Sequence, residues 1–129
     1  MANSNIARSG SPLTWLLFSL AGRISRRTFW ASLAALYCIN YALYRQLATT
    51  PEEELQGPFL LILFVMAIGA FYTSIAVSVK RLHDIGYSGF LSVAAAIPLI
   101  NLAFFIWAGL LPGTAGPNRY GEATDQPPT

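Results

Sequence analysis

From Phe59 to Val79 the chain runs without a single charged residue. As a helix, a stretch of that length rises about 30 Å, the thickness of a bilayer's hydrocarbon core. A helix that is apolar on every side belongs either to the centre of a large protein or to a membrane. The chain is too small for the first, with 129 residues of which 54% are hydrophobic and only 11% charged. An ordinary soluble domain carries roughly 25% charged residues. A small domain also has a high surface-to-volume ratio and needs polar residues to cover itself. The fold class implied is all-α, an integral membrane bundle of about three transmembrane helices.

Three parts are expected: a flexible amino terminus over 1–11, a membrane domain over 12–121 and a disordered tail over 122–129. The apolar run from Pro12 to Leu20 is too short to span and suits a segment lying at the interface, with Trp15 as its anchor. Arg8, this run and Ser19-Leu20-Ala21 imitate a signal peptide, but Arg23, Arg26 and Arg27 oppose export of the chain beyond them. The first span is placed at 28–47 and the second at 59–79. Between them Thr50, Pro51 and Glu53 read as a helix start, a cap followed by a first-turn proline and a capping-box acid. The third run, 89–111, is interrupted by Pro98 and Asn101. Because Pro98 removes a backbone donor and clashes with the preceding turn, the run is either one kinked span or a re-entrant hairpin.

Orientation is set by the basic residues. Four arginines precede the first span and Lys80-Arg81 comes after the second, whereas the connection between them carries three glutamates and Arg45 at its edge. The positive-inside rule places the amino terminus and the 80–88 connection in the cytoplasm. The carboxyl terminus is external if the third run crosses and cytoplasmic if it folds back. Small residues suggest packing faces, Ala31, Ala35 and Cys38 on the first span and Ala70, Ser74 and Ser78 on the second.

Three polar stretches stand out: Gly22 to Trp30, Lys80 to Phe90, and Pro112 to Gly121. The first two share the cytoplasmic interface, and the third joins them only if the third run folds back. Their order, with Gly22-Arg23-x-Ser25-Arg26-x-x-Phe29-Trp30, Arg81-Leu82-His83-Asp84-x-Gly86-x-Ser88-Gly89-Phe90, Ile97-Pro98-Leu99-Ile100 and Gly113-x-x-Gly116-x-Asn118-x-Tyr120-Gly121, resembles the domain of unknown function 805 family of small bacterial inner-membrane proteins. The departures are mild: Lys80 stands where arginine is usual and Phe90 where tryptophan is frequent. The resemblance implies a bacterial inner-membrane location and no particular activity.

The candidate cluster is Arg23, Arg26, Arg27, Lys80, Arg81, His83, Asp84, Asn118 and Arg119. Neighbouring His83 and Asp84 do not face each other on a helix, and no nucleophile with an orienting group accompanies them, so catalysis is not expected. One histidine, one aspartate and the single Cys38 make a poor metal set and exclude an internal disulfide, so no cofactor is expected. No basic tract or zinc spacing supports nucleic-acid binding. Structurally, Asp84 is expected to pair with Arg81, Arg23 or Arg26, with His83 capping a helix end. The basic residues could equally form a rim for anionic lipid headgroups. Ser25-Arg26-Arg27 resembles a twin-arginine export signal, but only membrane helices come after it. The expected function is non-enzymatic interaction with lipids, a membrane-protein partner or a second copy; the alternative is a transporter or channel subunit working as an oligomer, for which Asn40, Asn101 and the break at Pro98 are the features to weigh.

Overall fold

A computed structural model describes residues 11–54 and 57–128, so the segment expected to be flexible lies almost wholly outside it. The described residues form four α-helices, α1 (Pro12–Phe18), α2 (Arg26–Thr49), α3 (Gly57–Asp84) and α4 (Ile100–Leu110), with 3₁₀ helices at Glu52–Glu54 and Gly89–Ala96. The helix starts are set locally. The side chains of Ser11, Ser25 and Ser88 accept from the N–H groups of Thr14, Thr28 and Phe90, each satisfying a donor orphaned at a helix start. Thr50 does the opposite of what its sequence context suggests. Its hydroxyl donates to the Gln46 carbonyl at 2.6 Å, so it closes α2 instead of opening the next helix.

α3 has 28 residues with a mean hydropathy of 2.4 in its most apolar window, and is the one helix among the described residues long and apolar enough to cross a membrane. α2 is 24 residues long but carries Arg26, Arg27, Asn40, Arg45 and Gln46, which dilute its apolar character. Both expected spans are therefore helices, and the second alone meets the test of length and composition.

The third run is not one kinked span. After Ala96 the chain turns through Pro98 and Leu99, with Leu99 at a φ of 69°, and α4 then runs back. Both ends of the run lie beside the last turns of α3. Gly89 sits so close to Val79 and His83 that a Cβ there would stand 2.8 Å from one and 3.0 Å from the other. At the far end, Arg81 Nε donates to the Ala108 carbonyl at 2.8 Å and Arg81 Nη2 to the Leu111 carbonyl. Each arm of this hairpin reaches about 16 Å, half the thickness of a hydrocarbon core.

The hydrophobic core is gathered at this end of the molecule. Ile24, Phe29, Val77, Leu82, Ala95, Phe104 and Ala108 are buried together, and every buried residue of α3 lies between Thr73 and Asp84. α1 is held to the turn that follows it by Trp15 Nε1, which donates to the Ala21 carbonyl at 2.9 Å, and to α3 by the Tyr72 hydroxyl, which donates to the Phe18 carbonyl at 2.8 Å. Trp15 is half-buried, packed against the core. Away from this end α2 and α3 expose their apolar side chains, among them Leu61 at 61%, Phe64 at 62% and Val65 at 59%. Of the small-residue faces, Ser78 is fully buried, while Ala31, Ala35 and Cys38 are exposed.

Candidate functional site

The turn before α2 places Arg23, the last turns of α3 place Lys80, Arg81, His83 and Asp84, and the hairpin returns the chain so that residues 112–126 close over them. Gly22 makes the first placement possible, with a φ of 98° and the Trp15 indole packed against its α-carbon; a side chain would find neither the conformation nor the space.

Asp84 is the centre. Its Oδ1 accepts from Arg23 Nε at 3.1 Å and from the Thr124 hydroxyl at 2.8 Å, and its Oδ2 accepts from Arg81 Nη1 at 2.6 Å. The exposures are 1% for Arg23, 0% for Arg81 and 3% for Asp84, so this ion-pair triad is out of solvent. One carboxylate cannot neutralise two guanidinium groups, and Lys80 is fully buried as well. Backbone oxygens supply the remaining compensation. Arg23 donates to the carbonyls of Thr114 (2.7 Å), Gly116 (2.7 Å) and Gly121 (3.2 Å). Arg81 donates to Ile24 (3.4 Å), Ala108 and Leu111, the last two being carbonyls at the negative end of α4. Lys80 Nζ donates to the Ser19 carbonyl and stands 5.6 Å from the Trp15 ring centroid. A guanidinium has five donors in a fixed fork, which suits it to gather several carbonyls at once.

The carboxyl-terminal segment threads through this arrangement. The Thr114 N–H donates to the Asp84 carbonyl at 2.7 Å, and Gly113 lies where any Cβ would collide with the Asp84 carboxylate. Asn118 Nδ2 donates to the His83 carbonyl at 2.9 Å, and the His83 ring stacks on Tyr120 at 3.9 Å with an interplanar angle of 7°. The segment expected to be a disordered tail, 122–129, is instead tied in at Thr124, Asp125 and Gln126. The Asp125 carboxylate accepts from the Ser25 N–H at 2.8 Å, the Asp125 N–H donates to the Arg23 carbonyl at 2.9 Å, and Gln126 pairs with Arg23 in an isolated bridge. Gly- and Pro-rich composition signals disorder only where polar partners are missing, and here buried Arg23 supplies them.

All three polar stretches are therefore brought together, but their members divide. Asp84 pairs with Arg81 and Arg23, as expected, and not with Arg26, whose Nη1 reaches the Leu110 carbonyl at 3.4 Å from an exposed position. His83 does not cap a helix; its Nδ1 lies 3.2 Å from the Gly22 carbonyl. Arg23, Lys80 and Arg81 are buried and occupied by backbone, so of the candidate basic residues Arg26, Arg27 and Arg119 are left to solvent, the last 4.7 Å above the Tyr120 ring centroid. Thr124 and Asp125 were invisible to sequence reasoning, because nothing in a polar tail marks which hydroxyl or carboxylate will meet a buried arginine. Among the described residues no three His, Cys, Asp or Glu side chains stand together as a metal set.

No curated protein and no solved structure matches the chain. A family model does, over residues 17–122, a range that holds all three polar stretches and stops just short of Thr124 and Asp125. The chain belongs to the family described as Protein of unknown function (DUF805).

Proposed function

We propose that this chain is a multi-pass protein of the bacterial inner membrane that works without catalysis, by holding lipids or membrane partners at a basic cytoplasmic face. The observation that carries the membrane reading is α3. Only 17% of its most apolar window is buried, so it differs from the core helix of a soluble protein, which hides the same composition inside. α2 crosses beside it, with Trp30 near one end and Tyr41 and Tyr44 near the other, at the depths where such rings collect. The hairpin of the 3₁₀ helix and α4 enters as a re-entrant element. At its tip the Ile97 N–H donates to the Ala94 carbonyl at 3.3 Å and the Asn101 N–H to the Ile97 carbonyl at 2.9 Å, while the tip side chains stay exposed, Leu99 at 90%.

In this orientation the buried triad is a structural clamp. It closes the cytoplasmic end and leaves Arg26, Arg27 and Arg119 facing the headgroups, where each cation contributes about 1 kcal/mol toward an anionic surface. The test is retention of anionic lipid by the purified protein, read by native mass spectrometry. Arg26→Ala together with Arg27→Ala is expected to lower retention of phosphatidylglycerol or cardiolipin relative to a zwitterionic lipid. Equal retention by the variant and the parent contradicts lipid recognition at this face. The alternative, a transporter or channel subunit, draws on the lateral opening at Asn40 and Asn101, and ion or solute flux in reconstituted vesicles separates the two readings.

A further inference from the structure

Far from the buried triad, midway along α2 and α3, a lateral cleft of about 430 Å³ opens where the hairpin ends. Leu33 and Leu36 of α2, Ala67 and Phe71 of α3, and Ala95 and Phe105 of the hairpin form its apolar walls. Four polar side chains also line it, Tyr37, Asn40, Asn101 and Ser74, whose hydroxyl donates to the Phe71 carbonyl at 2.7 Å. Asn40 Nδ2 is occupied by the Leu36 carbonyl at 2.8 Å, which leaves its Oδ1 available. The Tyr37 hydroxyl and the Asn101 amide have no hydrogen-bond partner among the described residues.

Along α2, Tyr37 lies about 17 Å from Arg26, near the centre of a bilayer. At that depth a lipid presents methylene groups and no hydrogen-bonding partner, so an unpaired amide and an unpaired phenol there are both costly. They line one cleft yet do not meet within one chain. A second copy supplies each with the partner it lacks. The shape agrees with this, because an isologous contact needs a projection and a recess on the same surface. Tyr37 is 74% exposed and Phe71 57% exposed at the rim, beside the recess they would fill in a neighbour.

We propose that this cleft is a self-association site, in which two copies face each other across a two-fold axis in the membrane and Tyr37 of each enters the other's cleft to bond Asn101. The inference rests on the membrane reading above. Polar side chains at such depth hold helices together in exchange for otherwise unsatisfied groups.

The single Cys38 is exposed and outside the cleft, so it serves as the labelling site without any engineered cysteine. The full chain, labelled with donor or acceptor dye and reconstituted in phosphatidylethanolamine–phosphatidylglycerol vesicles, is titrated across protein-to-lipid ratios. The expected result is energy transfer that saturates, falls on dilution with lipid and is competed by unlabelled protein. Tyr37→Phe, which removes one exposed hydroxyl, and Asn101→Ala are each expected to weaken association about three- to tenfold. If the two groups bond each other, the double variant loses less than the product of the single losses. Saturating transfer unaffected by either substitution overturns the proposal, as does a protein that stays monomeric at every ratio. A monomer that carries a lipid-soluble molecule released by Asn101→Ala also overturns it, in favour of a ligand pocket. An alkaline wash separates the two levels: protein lost from the vesicles contradicts the membrane reading itself, and protein retained but monomeric contradicts self-association alone.

Discussion

Asp84 holds two buried arginines, and the strength of that arrangement lies in what its loss would leave behind. Asp84→Ala strands two guanidinium groups that have no route to water, and a destabilisation of about 3–5 kcal/mol is expected, as for the breaking of other buried ion pairs. Folded protein in the membrane fraction and thermal unfolding in detergent both read this; unchanged values for either would contradict the clamp. Thr124→Val removes one hydroxyl bond to the same carboxylate and is expected to cost about 1 kcal/mol. The pairing was legible, since Arg81 and Asp84 stand three apart on a helix and so share a face. The burial of Lys80 and Arg81 was not. Their main partners are the carbonyls of Ser19, Ala108 and Leu111, and carbonyls belong to every residue and leave no mark in a sequence.

Among the elements, the hairpin is the one of two open geometries that the chain adopts. Pro98 announced a break, but a kinked crossing and a fold-back share the same apolar run. What separates them is whether the residues after Leu110 find partners beside α3, and those contacts span long sequence distances: Arg23 to Gly121, Asp84 to Thr124 and Ser25 to Asp125. The tip itself is strained, because Leu99 holds a positive φ of 69° that leucine seldom adopts. Leu99→Gly is therefore expected to raise stability by up to about 1 kcal/mol, with Leu99→Ala as the control that keeps the strain. A Gly variant less stable than the Ala variant would contradict this description of the turn. Truncation after Gly121 removes the Thr124 and Asp125 bonds and is expected to lower the unfolding temperature while leaving membrane insertion unchanged. An unchanged unfolding temperature would return residues 122–128 to the role of a loose tail.

At the scale of the whole molecule, one end is packed and polar at its heart, and the remainder exposes apolar helix. Composition alone pointed to that second property. The first came from three motifs scattered over most of the chain, whose meeting depended on the fold-back. In a membrane, this architecture puts the start of α2, the end of α3 and the carboxyl-terminal segment on one side, because Arg23, Asp84 and Thr114 are in direct contact. A dual reporter fused at the carboxyl terminus, active on only one side of the membrane, tests this most directly when read beside the same reporter at the amino terminus. The fold-back requires both termini on the same side, which in the proposed orientation is the cytoplasmic one; termini on opposite sides would mean that the third run crosses and that the clamp around Asp84 does not form.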